Sequence, residues 1–138
     1  MRIVLDTNVL VSALITGHGV PGSVPATVKR EGHTLITSPH QIAELRDVLQ
    51  RDLLQPFINR EEADDLLYNL EAVAVVVDHL PEVDLSPDPD DNPILASAIA
   101  GRAELIVSGD KSHVLALGEV EGIAILNPRD ALDRLERT

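Results

Sequence analysis

The sequence lacks cysteine altogether and contains one Phe, one Tyr and no Trp. The absence of cysteine excludes disulfides, thiolate metal sites and cysteine nucleophiles. The scarcity of aromatic side chains argues against base stacking as the main mode of nucleic-acid binding. No apolar run approaches the roughly 20 residues of a membrane-spanning helix. We expect no signal peptide, because Met1 leads directly into a strand-like run. We therefore expect a cytoplasmic protein with no membrane partner.

Basic residues are also scarce, since 11 Lys and Arg stand against 23 Asp and Glu and give a net charge of −12. Residues 61–101 include many acids but no Lys or Arg. Such a run most simply forms a solvated surface. A chain this acidic repels nucleic acid at long range, so cleavage of RNA would need a bound cation. A basic partner peptide would suit the same surface.

Short apolar runs alternate with stretches of helical periodicity along the chain. The runs predict strands at residues 2–5, 33–37, 72–77, 105–107 and 123–126. The other stretches predict helices at residues 7–16, 24–30, 60–70, 93–100 and 111–117, and at the C-terminus from residue 127. A further helix is predicted after Ser38, with an apolar stripe of Ile42, Leu45, Leu49 and Leu53. This alternation predicts a single α/β domain over residues 1–138, with a parallel sheet between helices on both faces.

Two aspartates directly follow predicted strands or their closing turns. Asp6 ends the run from residue 2 to 5, and Asp110 follows residues 105–107 after Ser108 and Gly109. Since the carboxyl ends of parallel strands line the crevice where ligands bind, we expect both carboxylates at one edge of the sheet. Either residue alone would be explained equally well as a turn or cap residue.

Asp91 lies where a loop meets the apolar helix predicted at residues 93–100. Its ordinary interpretation is a helix cap, a role that Asp90 and Asn92 suit as well. The functional interpretation is that the same helix end directs the Asp91 carboxylate into the crevice. Asp88 and Asp90 are interpreted as turn residues.

Several carboxylates in one crevice raise one another's pKa and cannot all stay ionised without a cation. Oxygen ligands of this kind suit Mg²⁺ or Mn²⁺. A divalent ion there would polarise a phosphodiester and activate a water. Glu44 is a further acid, but it lies off the Ile42 and Leu45 stripe, so its position on the helix alone favours a solvated flank.

The residues as a set resemble a known family. The run from Met1 to Leu14, MRIVLDTNVLVSAL, is similar to the opening of PIN domains, and PDPDDNPILA (87–96) and IVSGDK (106–111) are similar to their later acidic motifs. The order and separation match over nearly the whole chain, most closely in the VapC-like toxin branch. The resemblance implies a PIN-like three-layer α/β/α sandwich with a central, mainly parallel twisted sheet.

By position, the resemblance implies that four acids are catalytic and hold Mg²⁺ or Mn²⁺, namely Asp6, Glu44, Asp91 and Asp110. It implies polar neighbours for them at Thr7, Asn8 and Ser108, of which the last two would orient carboxylates or waters. It also implies an endoribonuclease with an RNA substrate, a homodimer and a cognate antitoxin. Ser112-His113 stands where many relatives have a second aspartate, which puts a fifth acidic ligand in doubt.

Contacts to substrate phosphate are expected from Lys111 or Arg46, although both suit an ordinary surface role. Two alternatives to the ribonuclease remain. An aspartate-based phosphotransferase would read Asp-x-Asp after the first strand, whereas this chain reads Asp6-Thr7-Asn8. A non-catalytic PIN-like module would use its acidic surface only to bind a basic protein partner.

Overall fold

A computed structural model describes residues 1–16, 20–109 and 114–137, without the side chain of Pro21. Within these residues a six-stranded sheet has the order β3-β2-β1-β4-β6-β5. Its strands are β1 (Arg2–Leu5), β2 (Thr34–Thr37), β3 (Val75–Val76), β4 (Leu105–Val107), β5 (Glu119–Val120) and β6 (Ile123–Leu126). All neighbours pair in parallel except β5, which is antiparallel to β6.

The strands β1 and β4 lie at the centre of the sheet and are buried on both faces. Alternate residues of β1 enter different cores, because successive side chains of a strand point to opposite faces. Ile3 and Leu5 belong to one apolar cluster, whereas Val4 packs in the other with Ile106 of β4. The carboxyl ends of β1 and β4 coincide, since Leu5 pairs with Val107.

Helices cover both faces of this sheet. They are α1 (Thr7–Thr16), α2 (Val20–Arg30), α3 (Pro39–Leu49), α4 (Arg60–Tyr68), α5 (Asn92–Ala100) and α6 (Pro128–Arg137). Residues of α1, α2, α3, α4 and α6 share the core with Ile3 and Leu5. Residues of α5 pack against the opposite face with Val4. The predicted α/β sandwich with a mainly parallel central sheet is confirmed.

Helix α3 begins as its sequence predicts. Ser38 is extended, and its side chain accepts a hydrogen bond from the backbone N–H of Gln41, while Pro39 occupies the first turn. The helix ends at Leu49, where the side-chain amide of Gln55 donates to the Leu49 carbonyl at 2.7 Å. Leu53 therefore lies beyond the helix in a 3-10 turn (Asp52–Phe57). It is 87% exposed, so its prediction as a fourth core residue of the stripe is wrong.

The predicted strand at residues 72–77 is also wrong in extent. Residues Asn69–Val73 continue α4 as a π-helical turn, and only Val75–Val76 pair with β2. Leu70 is fully buried in the core, and helical continuation brings it there from the end of α4. Tertiary packing of Leu70 thus overrides the β propensity of the run that follows.

Other boundaries differ less. Helix α2 begins at Val20 instead of residue 24, and β5, which sequence analysis missed, turns back on β6. The predicted helix at residues 111–117 lies partly outside the described residues, and its described end is a 3-10 turn (Leu115–Leu117). In the described ranges no helix is both long and apolar enough to cross a membrane.

Candidate active site

Asp6 is fixed by the backbone on both sides at the carboxyl end of β1. Its N–H donates to the carbonyl of Val107 at 2.9 Å and so continues the pairing of β1 with β4. Its carbonyl accepts from the N–H of Val9 at 2.9 Å, the first hydrogen bond of α1. A buried strand and a helix start therefore meet at this residue, which leaves its backbone little freedom.

The Asp6 carboxyl is half-buried, and burial is the main reason why its pKa is raised above the ordinary value. Hydrogen bonds from Ser108 and from the backbone N–H of Thr7 act in the opposite direction and lower the pKa. The Ser108 hydroxyl donates to Asp6 Oδ2 at 2.9 Å. The negative charges of Asp91 and Glu44 raise the pKa of Asp6 further. The carboxylates of Asp91 and Glu44, which come from distant parts of the chain, thus lie near enough to Asp6 for their charges to act on it.

Glu44 reaches this edge from α3 and is exposed. It lies about one turn after Gln41, whose side chain bonds to the end of β1. Arg46 is two residues further, about 200° around the helix from Glu44, and it forms an ion pair with Glu71. The Arg46 guanidinium is therefore engaged away from the carboxylates, which weakens its predicted contact with substrate phosphate.

Asp91 precedes α5, but its side chain makes no capping hydrogen bond to that helix. Its Oδ2 instead accepts from the Ser86 hydroxyl at 3.0 Å. Asn92 holds the loop beside it, because Asn92 Oδ1 accepts from the backbone N–H groups of Leu85 and Ser86, both at 3.1 Å. The role of a local cap falls to Asp88, which accepts from the Asp90 N–H at 3.0 Å.

The polar residues predicted beside the acids also lie here. Ser108 is fully buried and contacts Asp6 as described. Asn8 Oδ1 accepts from the N–H of Gly109 at 3.3 Å, which ties the start of α1 to the segment leaving β4. The Thr7 hydroxyl is buried and finds no hydrogen-bond partner among the residues that the structure describes. An unpaired hydroxyl next to Asp6 is a donor or acceptor still open to a ligand.

Asp110 and Lys111 lie outside the described residues. Within the described ranges, no three His, Asp or Glu side chains are grouped closely enough to hold a metal ion. The chemistry of these residues nevertheless fits a hard divalent cation, because Asp6, Glu44 and Asp91 would offer carboxylate oxygens and the Thr7 hydroxyl, next to Asp6 in sequence, is unpaired among the described residues. A cation between them would also offset the mutual repulsion that contributes to the raised pKa of Asp6.

Sequence reasoning missed two residues of this region, Ser86 and Asn92. Ser86 holds the Asp91 carboxylate, and Asn92 closes the loop, yet each stands in a Pro- and Asp-rich segment typical of any turn. The one local signal was the position of Asn92 at the start of a helix, and it pointed to a cap.

Two comparisons bear on this arrangement. A model of the family described as PIN domain matches residues 2–112, a range that contains every acid of the candidate site. The chain is also similar to an uncharacterized protein of Methanocaldococcus jannaschii. The two are 26% identical over an alignment 145 positions long, which covers 99% of this chain and 93% of that protein.

Proposed function

Because this chain belongs to the PIN domain family, whose members are generally nucleases, we propose that it is a divalent-metal-dependent endoribonuclease that hydrolyses RNA phosphodiesters. The support for this is that Asp91 and Glu44 lie near enough to Asp6 for their charges to raise its pKa. These carboxylates come from three separate elements. Their mutual repulsion is unfavourable in the free protein and is relieved when a cation binds.

In this proposal Asp6, Glu44, Asp91 and Asp110 would hold Mg²⁺ or Mn²⁺, which would supply charge to polarise the scissile phosphate and stabilise the leaving oxygen. One carboxylate would accept a proton from the water that attacks phosphorus. The bond from phosphorus to the leaving ribose oxygen then breaks, and that oxygen takes up a proton. Ser108 and Ser86 keep carboxylate oxygens oriented through hydrogen bonds.

The net charge of −12 makes the cation necessary for a second reason. RNA approaches an acidic protein against long-range repulsion, so a cation at the site supplies local positive charge. Lys111, next to Asp110 in sequence, is proposed to contact the phosphate. Arg46 is the weaker candidate for this role, because it would first have to leave Glu71.

We further propose that the protein is a VapC-like toxin of a type II toxin–antitoxin pair that acts in the cytoplasm as a homodimer. The support is the similarity of its three acidic motifs to that branch, and an acidic surface suited to a basic antitoxin segment. Induced expression should arrest growth, whereas Asp6→Asn should not. A neighbouring short reading frame for a basic peptide should relieve the arrest, and normal growth at full expression of the wild-type protein would contradict the toxin role.

The nuclease itself is tested with purified protein and defined RNA oligonucleotides in EDTA, Mg²⁺ or Mn²⁺. We expect cleavage with either ion, none in EDTA, and none by Asp6→Asn with either ion. Cleavage that persists in EDTA would contradict metal dependence. An intact protein that cleaves no RNA and binds no Mn²⁺ near neutral pH would favour the alternative, a non-catalytic PIN-like module for a basic protein partner.

A further inference from the structure

Gln41 is a buried amide that joins α3 to the carboxyl ends of two strands. Its Nε2 donates to the backbone carbonyl of Leu5 at 2.6 Å, and its Oε1 accepts from Thr37 Oγ1 at 2.6 Å. Its backbone N–H donates to the hydroxyl of Ser38 at 3.2 Å. Only 3% of the residue is exposed, so these bonds are made away from water, where the loss of a partner is costly.

The bond to Leu5 occurs where the pairing of β1 with β2 has already stopped. The last pair between these strands is Val4 with Ile36, whereas Leu5 still pairs with Val107 of β4 on its other side. The Gln41 amide therefore replaces a strand neighbour at the end of β1. Because Asp6 is the next residue, this amide is bonded one peptide unit away from the half-buried acid of the site.

Gln41 and Glu44 are three residues apart on α3 and are therefore neighbours on the helix surface. A shift of the first turn of α3 relative to β1 would move Glu44 relative to Asp6. We infer that Gln41 is a positioning residue that sets the Glu44 carboxylate against Asp6 by tying α3 to the end of β1. This inference rests on the proposed nuclease function, and it does not require Gln41 to contact the ion.

The test replaces Gln41 by Met, which has a similar length but no amide, and titrates Mn²⁺ alone into metal-free protein by calorimetry. We expect Gln41→Met to bind Mn²⁺ about tenfold more weakly than wild type, because loss of a residue that orients a ligand costs about 10–100-fold in affinity. In RNA cleavage kcat should fall by a similar factor while KM stays unchanged, since the substrate contacts are intact.

Leu49→Ala provides the matched control for general destabilisation. Leu49 is buried at the opposite end of the same helix, so its truncation removes core packing without touching the bonds of Gln41. The melting temperature of Leu49→Ala should fall at least as far as that of Gln41→Met. Its Mn²⁺ affinity, measured below the melting transition, should stay within about twofold of wild type.

A double-mutant cycle separates positioning from a general effect. If Gln41 acts through Glu44, then Gln41→Met should weaken Mn²⁺ binding no further in a protein that already carries Glu44→Gln. Full additivity of the two losses would contradict the inference. Circular dichroism on each metal-free variant establishes that the folded protein is being titrated.

The outcomes distinguish this inference from the function on which it rests. Wild-type Mn²⁺ affinity in Gln41→Met, with weakened binding in Glu44→Gln, would overturn the role of Gln41 and leave the proposed function standing. Folded wild-type protein that binds no Mn²⁺ would overturn both. Should Gln41→Met not fold, Thr37→Val removes the hydroxyl that donates to Gln41 Oε1. A several-fold loss of Mn²⁺ affinity is then expected, and an unchanged affinity would overturn the inference.

Discussion

The two aspartates whose charges interact, Asp6 and Asp91, are held by different kinds of structure. Asp6 ends a central strand, and its carboxyl accepts from Ser108, which is 102 residues away in sequence, at 2.9 Å. Asp91 ends a long loop, and its carboxyl accepts from Ser86, only five residues away, at 3.0 Å. Each carboxyl thus accepts from a serine hydroxyl at nearly the same distance. The serine comes from a neighbouring strand end for Asp6 and from the same loop for Asp91.

This difference indicates a division of tasks within the site. The position of Asp6 depends on the pairing of β1 with β4, so it is fixed whenever the sheet is folded. Asp91 depends on a loop whose bonds to Asn92 are local and partly exposed, and such segments open at low free-energy cost. In the proposed site we therefore expect the sheet to supply the fixed part and the loop to supply the part that adjusts to an ion or substrate.

The largest effect on RNA cleavage should come from removing the negative charge of Asp6 or of Asp91. We expect Asp6→Asn to lower kcat for RNA cleavage by about 10³-fold, because a bound cation supplies several kcal/mol of transition-state stabilisation. Asp91→Asn should lose less, since Asp91 is held only by local bonds of its loop and the acid at the end of β1 stays in place. Asp88→Asn, in the same loop but acting as a cap, should remain near wild type. A larger loss in Asp91→Asn than in Asp6→Asn would reverse the comparison.

The loop that holds Asp91 can be weakened by removing its hydrogen bonds to Asn92, without a change to any acidic residue. Asn92→Ala removes the acceptor for two backbone N–H groups, so it should lower kcat by about tenfold and make residues 80–91 more sensitive to limited proteolysis. Asn59→Ala is the control, because Asn59 accepts from the N–H of Glu62 at the start of α4. That cap loss should cost about 1 kcal/mol of stability and leave kcat unchanged. Equal proteolysis of wild type and Asn92→Ala would contradict the anchoring role.

The two serines test whether the hydrogen bonds are equivalent. Ser108→Ala and Ser86→Ala should each lower Mn²⁺ affinity by about tenfold. Only Ser108→Ala should also change the pH dependence, because its hydroxyl lowers the pKa of Asp6. Without that bond the pKa of Asp6 rises further, so protons should compete with Mn²⁺ at a higher pH than in wild type. Identical pH profiles for wild type and Ser108→Ala would argue against this assignment.

The smallest effect concerns stability without metal. Burial raises the pKa of Asp6 in the folded protein above its ordinary value of 3.8, so ionised Asp6 destabilises the fold. This destabilisation is absent below pH 3.8, where the group is protonated in both states, and it develops as pH rises through the raised value. Metal-free Asp6→Asn should therefore melt a few degrees higher than wild type at pH 7.

Calorimetric melting curves on both proteins in EDTA, at pH 7 and at pH 3, provide the measurement. The difference in melting temperature should shrink at the lower pH. Added Mn²⁺ should stabilise wild type more than Asp6→Asn, since we expect the variant to bind the ion more weakly. A variant that melts lower than wild type at pH 7 without metal would show that burial does not destabilise the charged carboxyl.

The sequence predicts the two central strands beside the proposed site well, and the contacts within the loop before α5 poorly. The strand at residues 105–107 was predicted with its observed bounds, because an apolar run followed by polar residues has few other interpretations. Asp6 followed from the same pattern at β1. The helix start at Ser38 and Pro39 was equally clear, since its capping signal is local.

The features that the sequence does not predict depend on contacts made in the folded chain, which no local pattern encodes. Ser86 and Asn92 are ordinary turn residues until the loop folds back, and Glu44 lies off its helix's apolar stripe. The predicted stripe extends too far, because α3 ends at Leu49, whose carbonyl accepts from the Gln55 amide, and Leu53 lies in the 3-10 turn that follows. The strand predicted at residues 72–77 is too long for a similar reason. The chain stays helical through Val73, which keeps Leu70 in the core, and only Val75–Val76 form a strand.

The most direct test of the shared site is an Mn²⁺ titration, by calorimetry and electron paramagnetic resonance, of metal-free wild type, Asp6→Asn, Glu44→Gln and Asp91→Asn. The account predicts binding to wild type and a clear loss of affinity in every variant, while Asp88→Asn binds as wild type does. Wild-type affinity in all three site variants would contradict the claim that carboxylates from β1, α3 and the loop before α5 hold one ion.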